Sequence, residues 1–220
     1  TEKPDILWFM TDPRFFPWLW EIEDEIRSLI PMVYYHVWDN YPYPDFNKVW
    51  YDSTDVVACI SKVTHDIVKT VSPEVESLYF PHAVDNEFFK PLEKEQIKQL
   101  RQQSNIDEDK FIVFWNNRNA RRKQPATLIH WFNEFLNKIG RDNAQLIMHT
   151  DPHDPNGPNL VAVVDNLNLI NGEVKFSNSR LDFPQMAALY NIADVTVNIS
   201  DAEGFGLATL ESLSCGTPII

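Results

Sequence analysis

Glu203 and Glu211 set two carboxylates with seven residues between them, and the intervening Gly204-Phe205-Gly206-Leu207-Ala208-Thr209-Leu210 reads as a glycine hinge entering a helix. Gly204 and Gly206 can take backbone angles closed to other residues and put no side chain in the way of a ligand. A helix starting at Leu207 offers unpaired N–H groups and the positive end of its dipole to phosphate oxygens. Glu211 then lies about one turn inside, where its two oxygens can accept hydrogen bonds from the paired hydroxyls of a ribose. Glu203, ahead of the turn, would face a sugar carried by the same ligand. The elements that must position these groups are legible on either side. Residues 192–200 are rich in Val, Ile and Thr and read as a buried strand, and residues 207–214 read as a helix. The plainer alternative is an ordinary strand-to-helix turn with packing glycines and solvated glutamates.

The run from Asp201 to Ile220, with Gly204-Phe205-Gly206, Leu210-Glu211 and Cys215-Gly216-Thr217-Pro218 in order, closely resembles the signature of family-four retaining glycosyltransferases. The resemblance implies an α/β chain of GT-B architecture, with two Rossmann-like parallel-sheet domains. It further implies transfer of a sugar from a nucleoside-diphosphate sugar to an acceptor hydroxyl, with the anomeric configuration kept. Donor contacts would fall to Gly204, Phe205, Gly206, Leu207, Thr209 and Glu211.

A second stretch fits the same ligand. Residues 111–115 form a continuous apolar run, read as a buried parallel strand, and Asn116-Asn117-Arg118-Asn119-Ala120-Arg121-Arg122-Lys123 follows where ligands collect in open α/β sheets. Arg118 and Lys123 match the family's cations that grip the donor diphosphate. A planar Arg can bind two phosphate oxygens, and Lys supplies a mobile point charge. Arg121 and Arg122 read as a solvated face. The family usually has Gly just before this Arg and just after this Lys; here they are Asn117 and Gln124.

Strand and helix patterns alternate along the chain, which implies parallel sheets flanked by helices. Strands are expected over 5–10, ending at Thr11-Asp12-Pro13, and over 31–37, 55–60 and 145–149. Helices are expected over 22–30, over 63–71 behind a Ser61 cap, over 93–103, and over 126–139 with a clear apolar stripe. Residues 81–91 resemble the family's crossing between domains, with His82 and Ala83 replacing the usual Asn and Gly. The boundary is set there. Residues 1–86 are read as the C-terminal part of the acceptor-side domain, and residues 87–220 as the N-terminal part of the nucleotide-sugar domain. Measured against the family both domains are truncated, and the isolated chain is expected to be poorly active or unstable.

In the first domain, aromatic residues concentrate between Trp8 and Tyr51, Tyr41 among them; packing is the favoured reading over stacking on sugars. His36, followed by Trp38-Asp39, matches a position where the family often has a histidine. Two readings stand: a hydrogen bond to the transferring sugar, and a structural histidine. Asp12 is a candidate to orient the acceptor hydroxyl. His153 and the aspartates of residues 151–158 could be drawn as a metal site, yet prolines so dense favour a surface loop.

The 220 residues are 44% hydrophobic and 23% charged, an ordinary globular composition. A net charge of −13 at pH 7 argues against nucleic acid as a partner. No apolar run approaches a membrane span and no targeting signal leads the chain, so a cytoplasmic protein is expected. Cys59 and Cys215 do not read as a disulfide framework or a metal site, and Cys215 reads as a small buried residue rather than a nucleophile.

The chemistry follows from the leaving group. Breaking the sugar–phosphate bond builds negative charge on the departing diphosphate, and Arg118, Lys123 and the N–H groups near Gly206, Leu207 and Thr209 would be aimed at it. Arg118, Lys123, Glu203 and His36 are the candidate catalytic residues, with no metal and no cofactor beyond the donor substrate. Two further readings stay open: a related GT-B epimerase, and a non-catalytic nucleotide-sugar-binding or scaffolding fragment. The acceptor (glycan, lipid or small molecule) is left open.

Overall fold

Apolar runs rich in Val, Ile, Tyr and Phe pair into two separate four-stranded parallel sheets. The structure is a computed structural model. It describes residues 3–10, 12–38, 40 and 42–220, so the expectations that touch Thr11, Asp39 and Tyr41 lie outside the described residues. The elements, in order, are β1 (Leu7–Met10), α1 (Pro17–Glu21), α2 (Glu23–Arg27), β2 (Met32–His36), α3 (Lys48–Asp52), β3 (Val56–Cys59), α4 (Lys62–Val71) and β4 (Glu76–Tyr79). Then follow α5 (Lys94–Gln103), β5 (Phe111–Asn116), α6 (Pro125–Ile139), β6 (Ala144–His149), α7 (Leu160–Asn166), β7 (Val174–Ser177), α8 (Phe183–Ile192), β8 (Val195–Thr196) and α9 (Leu207–Ser214). Two units result: residues 1–82 with 202–205, and residues 83–201 with 206–220. The division falls between His82 and Ala83, where the sequence reading set it after Asn86.

The first unit is built on the sheet β1-β2-β3-β4, all parallel, with Leu7 opposite Met32, Val33 opposite Val56, and Val56 opposite Glu76. Alternate residues point to opposite faces. Tyr34, Val57 and Cys59 therefore pack with Tyr51 and with Ile67, Val68 and Val71 of α4, while Tyr35, Ala58 and Ile60 form a cluster on the other side. Ser61 caps α4 as expected, its Oγ accepting from the Thr64 N–H at 3.0 Å. The single helix expected over 22–30 is instead two short ones. Ile22 takes a non-helical backbone between them, and Arg27 pairs with Glu23 within the second and ties it through Asp55 to the start of β3.

The second unit carries the sheet β7-β6-β5-β8, also parallel, with Phe111 opposite Ala144, Leu146 opposite Val174, and Val113 opposite Val195. Val113, Trp115, Leu146 and Met148 face Leu128, Ile129, Phe132 and Leu136 of α6. The alternate residues Ile112, Phe114 and Ile147 face Ala187 and Tyr190 of α8. Each such fully buried side chain contributes about 1.5–3 kcal/mol by leaving water. The helix α8 starts from a capping box in which Asp182 accepts from the Gln185 N–H and Gln185 accepts from the Asp182 N–H.

The strand expected over 192–200 is shorter. Ile192 still belongs to α8, and Asp194 is held by side-chain bonds, its carboxylate accepting from the Ile112 N–H at 2.7 Å and from Arg101 at 2.8 Å. Beyond β8 the Val197 N–H still donates to the Phe114 carbonyl at 2.9 Å and the Asn198 N–H to the Ile220 carbonyl at 2.7 Å, and the ladder ends where the Ser200 N–H turns back to Asn198 Oδ1. Both cysteines are free and buried, and residues 151–158 form a loop in which Asp151 and Asp154 accept from the N–H groups of His153 and Asn156. No helix among the described residues is long and apolar enough to cross a membrane.

Candidate functional site

The turn into α9 has the geometry its glycines require. Gly206 caps the helix at φ +83°, a left-handed backbone that side-chain-bearing residues adopt at a cost. Among the described residues no acceptor is found for the N–H groups of Gly206, Leu207 and Ala208. These three, at the positive end of the helix, are the donors open to an anion. Thr209 corrects the expectation. Its N–H already donates to the Gly206 carbonyl at 2.9 Å, and its Oγ1 accepts from Asn198 Nδ2 at 3.3 Å, so it steadies the turn. Leu207 opens the helix with its side chain well exposed.

Glu211, one turn on, is partly buried. Its Oε2 accepts from the Tyr190 hydroxyl at 2.6 Å, and Asn116 Nδ2 lies 3.5 Å from the same oxygen while donating to Tyr190 at 2.8 Å. Burial raises the Glu211 carboxyl above the usual carboxylate range, and the Tyr190 hydroxyl opposes that shift. Asn116 ends β5, so the strand that leads to Arg118 and the helix that carries Glu211 meet here.

Arg118 follows two residues later and is largely exposed. Its Nε and Nη2 donate to Asp154 at 2.6 and 3.3 Å, which holds the Asp154 carboxyl well below its ordinary range. Lys123 differs from the expected mobile charge. It ends a 3₁₀ turn over Arg121–Lys123 and is only 4% exposed, whereas Arg121 and Arg122 are exposed. Gln124 explains the glycine usual after this Lys: its backbone is left-handed, φ +55°. The side chain compensates. Gln124 Nε2 donates to both Asp201 oxygens at 3.1 and 2.9 Å, and the Asp201 N–H donates to the Arg122 carbonyl at 2.8 Å. The basic turn is thereby tied to the residues just after β8. Asn119, at 0% exposure, anchors the following loop by donating to the Pro158 carbonyl at 2.9 Å.

The remaining candidates belong to the first unit. His36 is fully buried, with Nδ1 3.0 Å from the Tyr34 hydroxyl and Nε2 2.6 Å from the Tyr51 hydroxyl. Burial lowers it to about 3, so the ring stays neutral. Neither nitrogen is left for a sugar hydroxyl in this arrangement, which corrects its placement among the catalytic candidates. Asp12 is likewise committed. It accepts from the Arg14 N–H at 3.0 Å and Nε at 2.9 Å, and the Arg14 side chain lowers its pKa. Phe205 packs on the Tyr35, Ala58 and Ile60 cluster and lies edge-on to His82, centroids 5.4 Å apart, so only its backbone is available to a ligand. A side chain at Gly204 would collide with Val37, which accounts for glycine there. Glu203 is half-buried beside them.

Sequence reasoning missed Tyr190 and Asp154. The capping box over Asp182–Gln185 could have announced the helix that carries Tyr190; no local signal pairs Asp154 with Arg118.

A parallel α/β fold with open N–H groups at the start of a helix, and an exposed cation beyond the end of a neighbouring strand, is an arrangement that can receive an anionic ligand. Residues 96–220 match the family model "Glycosyl transferases group 1", and the chain belongs to that family. It is 27% identical over 171 residues to D-inositol 3-phosphate glycosyltransferase 1 of Catenulispora acidiphila, covering 75% of this chain and 40% of the relative. It is 28% identical over 169 residues to alpha-monoglucosyldiacylglycerol synthase of Streptococcus pneumoniae, covering 76% and 37%. The chain thus spans well under half of these relatives.

Among solved structures it resembles sucrose-phosphate synthase from Thermosynechococcus elongatus, with a TM-score of 0.74 at 21% identity and 98% and 55% of the two chains covered. It also resembles Anabaena HepE in complex with UDP and glucose, with a TM-score of 0.74 at 18% identity and 98% and 58% covered. The fold is GT-B-like.

Proposed function

We propose that this chain is the central part of a retaining glycosyltransferase that moves a sugar from a nucleoside-diphosphate sugar to an acceptor hydroxyl, with fixed cations taking the place of a metal. Residues 1–82 then represent the acceptor-side domain and residues 83–220 the donor domain. The observation that carries the reading is the joining of two motifs far apart in sequence. Asn116 and Tyr190 bring the end of β5 to Glu211, and Gln124 with Asp201 brings the basic turn to the stretch that precedes Gly206.

In this reading the N–H groups of Gly206, Leu207 and Ala208 receive diphosphate oxygens, and Arg118 supplies the exposed positive charge. Lys123 adds a buried one. Charge that develops on the leaving diphosphate meets donors already in place, which lowers the barrier without reorganisation. Glu211 receives the ribose hydroxyls, and Glu203 lies ahead of the turn for the sugar. HepE was solved in complex with UDP and glucose, which supports a uridine donor. Two buried free thiols fit a reducing compartment, and the cytoplasm is the proposed location.

The test is release of nucleoside diphosphate from a panel of nucleotide sugars, with and without candidate acceptors, in chelator. Acceptor-dependent release, with the anomeric configuration of the product kept by NMR, is expected. No release from any donor would overturn the reading.

A further inference from the structure

We propose that Tyr190, backed by Asn116, is the positioning residue that aims the Glu211 carboxylate at the ribose of the donor. The inference rests on the reading of Glu211 given above and adds to it the group that decides how that carboxylate is presented.

Three elements converge on the point: β5 ends at Asn116, α8 carries Tyr190, and α9 carries Glu211. A tyrosine has one O–H to donate, and this one goes to Glu211 Oε2 at 2.6 Å. Its oxygen in turn accepts from Asn116 Nδ2 at 2.8 Å, so the direction of the O–H is fixed. Glu211 Oε1 has no partner among the described residues. One oxygen is therefore held and the other is presented with its lone pairs open, as paired hydroxyl donors require.

The ring is locked as well. Tyr190 is 0% exposed, lies edge-on to Phe114 with centroids 5.1 Å apart, and accepts from Thr217 Oγ1 at 2.7 Å through its own carbonyl. These contacts would hold a phenylalanine equally well. The core needs the ring, and only the Glu211 carboxylate and Asn116 use the hydroxyl. The same bond helps to keep a half-buried carboxylate ionised, because it stabilises the charged form against desolvation.

The test compares the affinity of the full chain for UDP, ADP and GDP with its affinity for their 2′,3′-dideoxy forms, by calorimetry. Tyr190→Phe is expected to weaken binding of the ribose forms about tenfold, the worth of one hydrogen bond to a charged group. Binding of the dideoxy forms is expected to stay unchanged. The acid limb of ribose-form binding should also move to higher pH, since Glu211 loses the donor that opposes its protonation. An equal loss for both probe sets, or no loss, overturns the proposal.

Should Tyr190→Phe fail to fold, Asn116→Ala carries the same comparison, with a smaller expected loss confined to the ribose forms. Glu211→Ala separates the two readings. If wild type and Glu211→Ala treat ribose and dideoxy forms alike, or wild type binds none of the nucleotides, the Glu211 reading fails and takes this one with it. If Glu211→Ala abolishes the ribose preference while Tyr190→Phe keeps it, only the role of Tyr190 is lost.

Discussion

Asp154 grips Arg118 side-on, with Oδ2 2.6 Å from Nε and Oδ1 3.3 Å from Nη2. Asn156 steadies the carboxylate through its N–H at 2.9 Å and its Nδ2 at 2.8 Å. The fork that a diphosphate would take is thus occupied by a carboxylate of the chain itself, and a second anion must share the guanidinium or displace the first. Arg118→Ala is expected to weaken UDP binding at least tenfold, because a charge-assisted donor is lost. Asp154→Asn is expected to tighten it several-fold by removing a competing negative charge. Arg118 is exposed and screened, and asparagine keeps an oxygen for the Asn156 donors at the more shielded position 154, so melting temperature should move little. Titration calorimetry at low and high salt reads both effects, and loss of UDP affinity in Asp154→Asn would contradict the competition.

His36 makes stability depend on pH. Its folded-state pKa is depressed to about 3 by burial, against an ordinary value of 6.5. Between those values the unfolded chain binds a proton that the folded chain refuses, so stability falls as pH drops below 6.5 and recovers above it. The slope reaches about 1.4 kcal/mol per pH unit for this one site. His36→Gln should be less stable at pH 7, having lost its pairing with Tyr34 and Tyr51, yet should show a shallower acid slope. Urea unfolding from pH 4.5 to 7.5 checks this, and parallel slopes for the two proteins would rule it out.

Gln124 offers a test of backbone strain. Its left-handed φ of +55° costs about 1–2 kcal/mol in a residue with a side chain, and its bond to Asp201 offsets part of that. Gln124→Ala keeps the strain and loses the tether; Gln124→Gly loses the tether and relieves the strain. The glycine variant should therefore be the more stable of the two by about 1 kcal/mol in urea unfolding. An alanine variant as stable as the glycine one would show that the turn relaxes.

What the sequence makes legible is what local pattern controls. β2, β3, β5 and β6 are largely apolar runs, α4 is announced by Ser61, and the Gly206 to Glu211 spacing locates the turn into α9. α8 escapes because its apolar residues lie on no single stripe, with Ala187, Tyr190 and Ile192 all buried. The strand expected through Ser200 ends where a side chain takes over from the ladder, the Ser200 N–H turning back to Asn198 Oδ1, and its expected start at Ile192 lies in α8. Within the site, residue types were legible and their commitments were not. His36 looks like a ligand group until Tyr34 and Tyr51 are seen to take both nitrogens, and Lys123 looks solvent-facing until its turn buries it. Each of these depends on partners that no local window contains.

Gly206 and Gly172 share one backbone demand and differ in place, which separates strain from function. Their φ values are +83° and +87°; Gly172 has nothing within 4 Å of where a Cβ would sit, and at Gly206 the nearest atom is Thr209 Oγ1 at 3.5 Å. Neither site is crowded, so alanine at either costs mainly the left-handed penalty, about 1–2 kcal/mol. Only Gly206 precedes the open N–H groups of α9. Relaxing its φ would swing those donors out of line and break the Thr209 bond that steadies the turn. Gly206→Ala and Gly172→Ala should therefore lose similar stability, while only Gly206→Ala loses UDP affinity, about tenfold or more for a misaligned set of backbone donors. Equal UDP affinity in the two variants would mean that the turn into α9 does not hold the diphosphate.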